Sequence, residues 1–220
     1  MDSLHLFLIR HAESEWSRER RFTGSRDVGL TDEGRRQADA LARALTAVPL
    51  AAVYASPLVR SVQTAEAIAH PHGVNVSVEP AFREMAFGEW EGLTRDEAAS
   101  RFPDLYDCWR RNPGQLVCPG GEGMAAVNGR AADAIAELRG AHAGETVALV
   151  THAVIIRLVI LAALGLDPDR IWSIDASPAG ITEIEYRGDW ATLHRVNTIA
   201  HLDPPREPAP RDAVEGAHRG

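Results

Sequence analysis

Apolar and polar positions along this chain follow two periods, and its chemistry gathers where one period gives way to the other. Residues 4–9 are nearly all apolar, few and bounded by polar residues, the pattern of a strand buried on both faces. Residues 146–151 repeat that pattern, residues 51–55 form a shorter run of the same kind, and residues 74–79 alternate like a further strand. Residues 180–186 and 191–196 alternate around Arg187-Gly188-Asp189 and predict a β-hairpin at the sheet edge.

Between these runs the period becomes helical. Thr31 caps a helix whose first acids, Asp32 and Glu33, suit the positive end of its dipole; Ala38, Leu41, Ala42 and Leu45 recur at helical spacing until Pro49 stops it. Ser56-Pro57 opens a second helix, residues 58–69, with the proline in its first turn. Residues 154–164 are apolar nearly all round, as in a helix enclosed by a core. Residues 14–30, with Arg18, Arg20, Arg21, Arg26, Gly24 and Gly29, read as a loop.

Strands alternating with helices predict an α/β fold: a three-layer sandwich with a central mostly parallel sheet, helices on both faces and an antiparallel edge hairpin. The pattern loosens over residues 87–121, where Thr94 and Glu97 form a capping box before a short helix, residues 104–111 suggest another, and Pro119-Gly120-Gly121-Glu122 turns into a helix over 124–138. This stretch is expected to be a small helical lid within a single domain spanning residues 1–202. Pro, Arg, Glu, Gly and Ala dominate residues 203–220, which predicts a flexible tail.

Composition narrows the function. The 220 residues carry a net charge of −8, which disfavours a nucleic-acid binder with its basic face. Neither a spanning apolar run nor a signal-peptide pattern is visible, since residues 154–166 are interrupted by Arg157, so the expectation is a cytoplasmic enzyme with no membrane partner. Cys108 and Cys118 lack metal-binding or redox spacing, and His70-Pro71-His72 has no carboxylate or cysteine cluster beside it. No metal and no cofactor are expected, and a homodimer stays open. His5, His142, His194 and His201 are read as structural or surface residues, and Trp90 and Trp109 as packing residues, Trp109 with a further option of covering substrate.

The strand exits supply the candidate chemistry. Ligands of open α/β sheets collect beyond the carboxyl ends of the strands. There the sequence sets Arg10 with His11, then Arg60, then Glu84, then His152. Two guanidinium forks suit a phosphoryl group passing through an in-line transition state. His11 would attack phosphorus through a neutral ring nitrogen, Glu84 would protonate the leaving oxygen and later activate water, and His152, most usefully as a cation, would bind a phosphoryl oxygen. Glu84 must then sit where its charged form is disfavoured, which a dianionic substrate itself promotes.

These residues carry a resemblance. The segments LIRHAESEW, RFTG, LTDEG, SPLVRSVQTAEAIA, REMAFGEWEGLT, PGGE and LVTHAVIIR, in that order over residues 4–165, resemble the histidine phosphatase superfamily, on its phosphatase side, which includes α-ribazole phosphatase. The resemblance implies His11 as phosphorylated nucleophile, Glu84 as acid/base, and Arg10, Arg60 and His152 as phosphate pocket. Ser14, Thr23 and Gly24 fall on substrate-touching positions, and Arg21 lies in the same loop as a further candidate contact. The implied substrate is a small phosphorylated metabolite. Ala12 and Ala153 stand where the family usually has glycine, and Ser17 where its mutases usually have asparagine. Cofactor-dependent phosphoglycerate mutase is the rival enzyme reading, and a non-catalytic binding protein the rival outside enzymes. Few cations between Glu84 and His152, with Arg110-Arg111 the only basic pair, favour the phosphatase.

Overall fold

The computed structural model describes residues 3–202. Six strands form one sheet: β1 (Leu4–Arg10), β2 (Ala52–Ala55), β3 (Val76–Val78), β4 (Thr146–Thr151), β5 (Ile181–Arg187) and β6 (Trp190–Thr198). Their order is β3-β2-β4-β1-β5-β6. The first four are mutually parallel, whereas β5 runs antiparallel to β1 and forms a hairpin with β6. The expected mixed α/β sheet is therefore present, and β1 lies at the seam between its parallel and antiparallel parts.

Side chains on a strand alternate between faces, and the two cores divide accordingly. Leu4, Leu6 and Leu8 of β1, with Val147 and Leu149 of β4, face one core together with α6 (Met124–Ala141) and α7 (Ala153–Ala163). Phe7 and Ile9, with Ala148 and Val150, face the other together with α2 (Asp32–Leu45) and α3 (Val59–Ala69). Helices thus cover both faces. Burying β1 and β4 on both sides is what their continuous apolar sequences require.

Several local expectations change. The segment predicted as a loop contains α1 (Glu15–Arg18), and Ser14 and Arg21 make single bridges to Leu30 and Thr94. Pro57 precedes the helix, because Leu58 is the cap in extended conformation, so the proline sets up the approach and not the first turn. The third strand keeps only Val76–Val78, since Glu79 caps a 3-10 turn through Ala81 N. In the lid, α4 (Arg95–Arg101) carries the expected capping box: Glu97 N donates to Thr94 Oγ1 (3.2 Å) and Thr94 N to Glu97 Oε2 (2.7 Å). It is followed by α5 (Pro103–Arg111). The predicted tail, residues 203–220, lies outside the described residues. No helix among the described residues is long and apolar enough to cross a membrane.

Candidate active site

All four exits open at one edge of the sheet, and three of them supply side chains to a cavity of about 350 Å³ whose wall includes Arg10, His11, Arg60 and Glu84. His152 lies just behind this wall, fully buried, with its ring centre 5.1 Å from that of His11. The strand ends hold His11 rigidly: its N–H donates to Thr151 O (2.9 Å) and its carbonyl accepts from Ala179 N (3.2 Å).

The ring of His11 has a defined tautomer. Nδ1 lies 2.7 Å from the carbonyl oxygen of Ala12. A carbonyl can only accept, so Nδ1 carries the hydrogen and Nε2 keeps the lone pair. Burial, reinforced by the charges of Arg60 and Arg10, holds the His11 pKa well below the usual histidine value. The ring is therefore neutral and nucleophilic at Nε2.

Each arginine is tethered by backbone oxygens. Arg60, with no exposed surface, donates from Nη1 to Arg26 O (2.7 Å) and from Nη2 to Gly24 O (2.8 Å), which also pins the loop after α1. Arg10 donates from Nη1 to Ala176 O (2.6 Å). Burial lowers both pKa values to about 10, so both remain cationic at neutral pH. Arg10 Nε, Arg60 Nε and His152 Nδ1 are buried without a hydrogen-bond partner in the protein. Leaving such groups unpaired costs about 1–3 kcal/mol each, which oxygen atoms of a ligand can recover.

Glu84 accepts from Met85 N (3.0 Å) and more weakly from Val154 N (3.4 Å) at the start of α7. Burial raises its pKa, outweighing those hydrogen bonds and the two arginines. Its loop is clamped by Arg130, which donates to the carbonyls of Ala81, Arg83 and Glu84 and pairs with Glu122 (3.0 Å). Glu122 in turn accepts from Ala86 N (2.9 Å), so the PGGE segment braces the acid. Gly121 allows this close approach, because a Cβ there would lie 2.3 Å from Ala86 O.

His152 differs from the cationic form expected. Nε2 contacts Ser56 Oγ (2.7 Å) and Ser61 Oγ (3.3 Å), and burial followed by Arg60, His11 and Arg10 depresses its pKa strongly. Without an anion beside it, the ring is neutral.

Thr23, Gly24 and Arg21 line the cavity, whereas Ser14 does not. Ser14 is fully buried where its backbone bridges to Leu30 and starts α1; Ser17, one turn on, occupies the wall and exchanges hydrogen bonds with the Ser14 backbone. Arg21 spends its donors on Glu19, Gly92 O and Glu97. The methyl of Ala12 turns into the core beneath α2 and α3, and only Ala153 reaches the cavity. Trp90 packs inside the lid, while Trp109 joins the cavity wall. Further wall residues were not among the sequence candidates, Arg20, Arg95, Arg157 and Trp172 among them. For Arg157 a signal existed, because a lone arginine in an otherwise apolar helix needs a purpose.

Comparison with known proteins accords with this geometry. Residues 6–199 match the family described as the histidine phosphatase superfamily (branch 1). Phosphoserine phosphatase 1 of Hydrogenobacter thermophilus is 33% identical over 197 residues, 90% of this chain and 93% of that protein. The solved structure of Bacillus stearothermophilus YhfR superposes with a TM-score of 0.86 at 32% identity, covering 91% of this chain and all of the other. A histidine-to-alanine mutant of phosphoserine phosphatase from Entamoeba histolytica, in complex with phosphoserine, superposes with a TM-score of 0.81 at 28% identity, covering 90% and 99% of the two chains.

Proposed function

The chain belongs to the histidine phosphatase superfamily, and on that premise we propose that it hydrolyses a small phosphomonoester by way of phospho-His11. The observation that carries this reading is the fixed tautomer of His11, whose free Nε2 stands beside two tethered arginines and a buried acid. Nε2 donates its lone pair to phosphorus while the phosphorus–oxygen ester bond breaks, and the proton of Glu84 goes to the departing alcohol oxygen. Water then attacks the phosphoryl group as Glu84 takes its proton; the phosphorus–nitrogen bond breaks and neutral His11 returns. Arg10 and Arg60 hold the equatorial oxygens in both steps. His152, beside His11, becomes easier to protonate once the dianion is bound, which brings the cationic role within reach.

Phosphoserine is the first natural ester to try, given the relatives just described. The scarcity of cations between Glu84 and His152 does not disfavour a mutase, because the cavity draws arginines from outside that segment. What supports hydrolysis is the likeness to phosphatases. The test is phosphate release from p-nitrophenyl phosphate, expected for the native chain and reduced at least about 1,000-fold in His11→Ala. In parallel, 3-phosphoglycerate with catalytic 2,3-bisphosphoglycerate should give free phosphate faster than 2-phosphoglycerate. Isomerisation outrunning phosphate release from every ester would make this a mutase.

A further inference from the structure

The cavity holds more positive charge than a phosphoryl group requires. A phosphomonoester brings about two negative charges, and Arg10 and Arg60 meet them. Beyond that cradle the wall still carries Arg20, Arg21, Arg95 and Arg157, with Glu84 its only carboxylate among the described residues, in a chain whose net charge is −8. Arg21 is balanced by Glu19 (2.7 Å) and Glu97 (3.3 Å). Among the described residues no carboxylate lies within 4.0 Å of Arg20, Arg95 or Arg157.

Arg157 is the best placed of these. It stands on α7 on the same wall as Glu84 and Arg10, half-buried, and donates only Nε–H, to Ile174 O (2.9 Å). Its Nη groups have no protein acceptor, and its guanidinium lies 5.2 Å from the ring centre of Trp172. Trp172 is itself fixed, since its indole N–H donates to Trp109 O (2.9 Å) and its ring stands edge-on to Trp109 at 4.6 Å. With 38% of its surface exposed, it still offers a face to a ligand. Arg20 reaches the mouth from a left-handed backbone (φ 57°) that glycine would adopt at least cost. Through Arg95, Trp109 and Trp172 the cavity continues into an annex that adds Tyr106 and Arg110, so the alcohol part of a substrate has room to extend.

We propose that the alcohol part of the substrate bears a second oxyanion, a carboxylate or a further phosphate, which Arg157 receives with Arg95 and Arg20 at the mouth while Trp172 packs the carbon skeleton. This rests on the phosphatase reading and adds to it the charge of the leaving group. A guanidinium paired with an oxyanion outside bulk water contributes enough to bias kcat/KM by about 10- to 100-fold.

The experiment compares kcat/KM within matched pairs: 3-phosphoglycerate against glycerol 3-phosphate, O-phosphoserine against O-phosphoethanolamine, and glucose 1,6-bisphosphate against glucose 6-phosphate. The first two pairs detect a carboxylate and the third a phosphate. The native chain should favour the more anionic member in at least one class by about tenfold or more. Arg157→Gln should bring that ratio within about threefold of unity, and Arg157→Lys should keep part of it. Should Arg157→Gln unfold, Arg95→Gln and Arg20→Gln, both at exposed positions, must each lower the ratio. Turnover of p-nitrophenyl phosphate without preference in any pair overturns the proposal and leaves the phosphatase reading standing. So does a preference that survives the folded variants, or a proportional loss on both members of a pair. Failure to turn over p-nitrophenyl phosphate at all strikes the phosphatase reading instead.

Discussion

At His11 and Glu84 the same burial produces opposite ionisation outcomes, both needed for one reaction. A buried histidine loses its proton more readily, and a buried carboxyl keeps it longer; the site therefore presents a neutral nucleophile and a carboxyl biased towards its protonated form. For the free enzyme kcat/KM should rise as His11 deprotonates, on a limb well below the usual histidine range, and fall as Glu84 ionises above the usual carboxylate range. With an ester of a poor leaving group, Glu84→Gln should erase the alkaline limb while leaving the acid one. An unchanged alkaline limb would assign the acid elsewhere. For an ester with a poor leaving group the same variant should lose about 100- to 10,000-fold, and less for p-nitrophenyl phosphate, whose leaving group needs little protonation.

Among the elements, the loops beyond the strands depend on close backbone approaches. Gly34, in the first turn of α2, faces Glu13 two residues after the nucleophile, and a Cβ there would lie 2.0 Å from the Glu13 carbonyl oxygen. Gly34→Ala should destabilise the protein by about 1–3 kcal/mol through overpacking, read as a lower denaturation midpoint, and should lower activity by shifting the segment behind His11. Equal stability would show that the loop yields freely. The same comparison indicates what a sequence can reveal. The buried strands, the capped α2, the lid capping box and the five strand-exit residues follow from periodicity and from chemistry at chain positions that parallel topology must bring together. The roles of Arg130 and Glu122 were out of reach, because each depends on which carbonyls lie across the fold, and Arg157 showed only as a lone charge in an apolar helix. Ser14 lies off the cavity wall for a related reason: which of two serines on one turn lines a cavity depends on the bridge to Leu30, a pairing its local pattern does not encode.

For the whole molecule, the buried site makes folding sensitive to acid. His11 and His152 have depressed pKa values in the folded chain, so below the usual histidine value the unfolded chain binds more protons and stability falls with pH. Glu84 acts in the opposite sense: its raised folded pKa means that its contribution is present at low pH and is lost as pH rises through that value. The two histidines outnumber the one glutamate, so acidification leaves a net loss, at most about 1.4 kcal/mol per pH unit for each proton. Thermal unfolding should therefore begin earlier at pH 5.5 than at pH 7.5, and His152→Asn should flatten that dependence. A steeper slope in the variant would contradict the assignment.

The seam position of β1 also bears on how the molecule comes into being. The strand that carries the nucleophile precedes the other strands of the sheet, yet its neighbours, β4 and β5, begin only at Thr146 and Ile181. A nascent chain emerging from the ribosome thus holds Arg10 and His11 with neither flank in place until β4 has been made. Loop closure over so long a span is entropically late. Competence is accordingly acquired only after β4 and β5 have both emerged, so chains stalled before the hairpin carry the reactive histidine without the chemistry it serves.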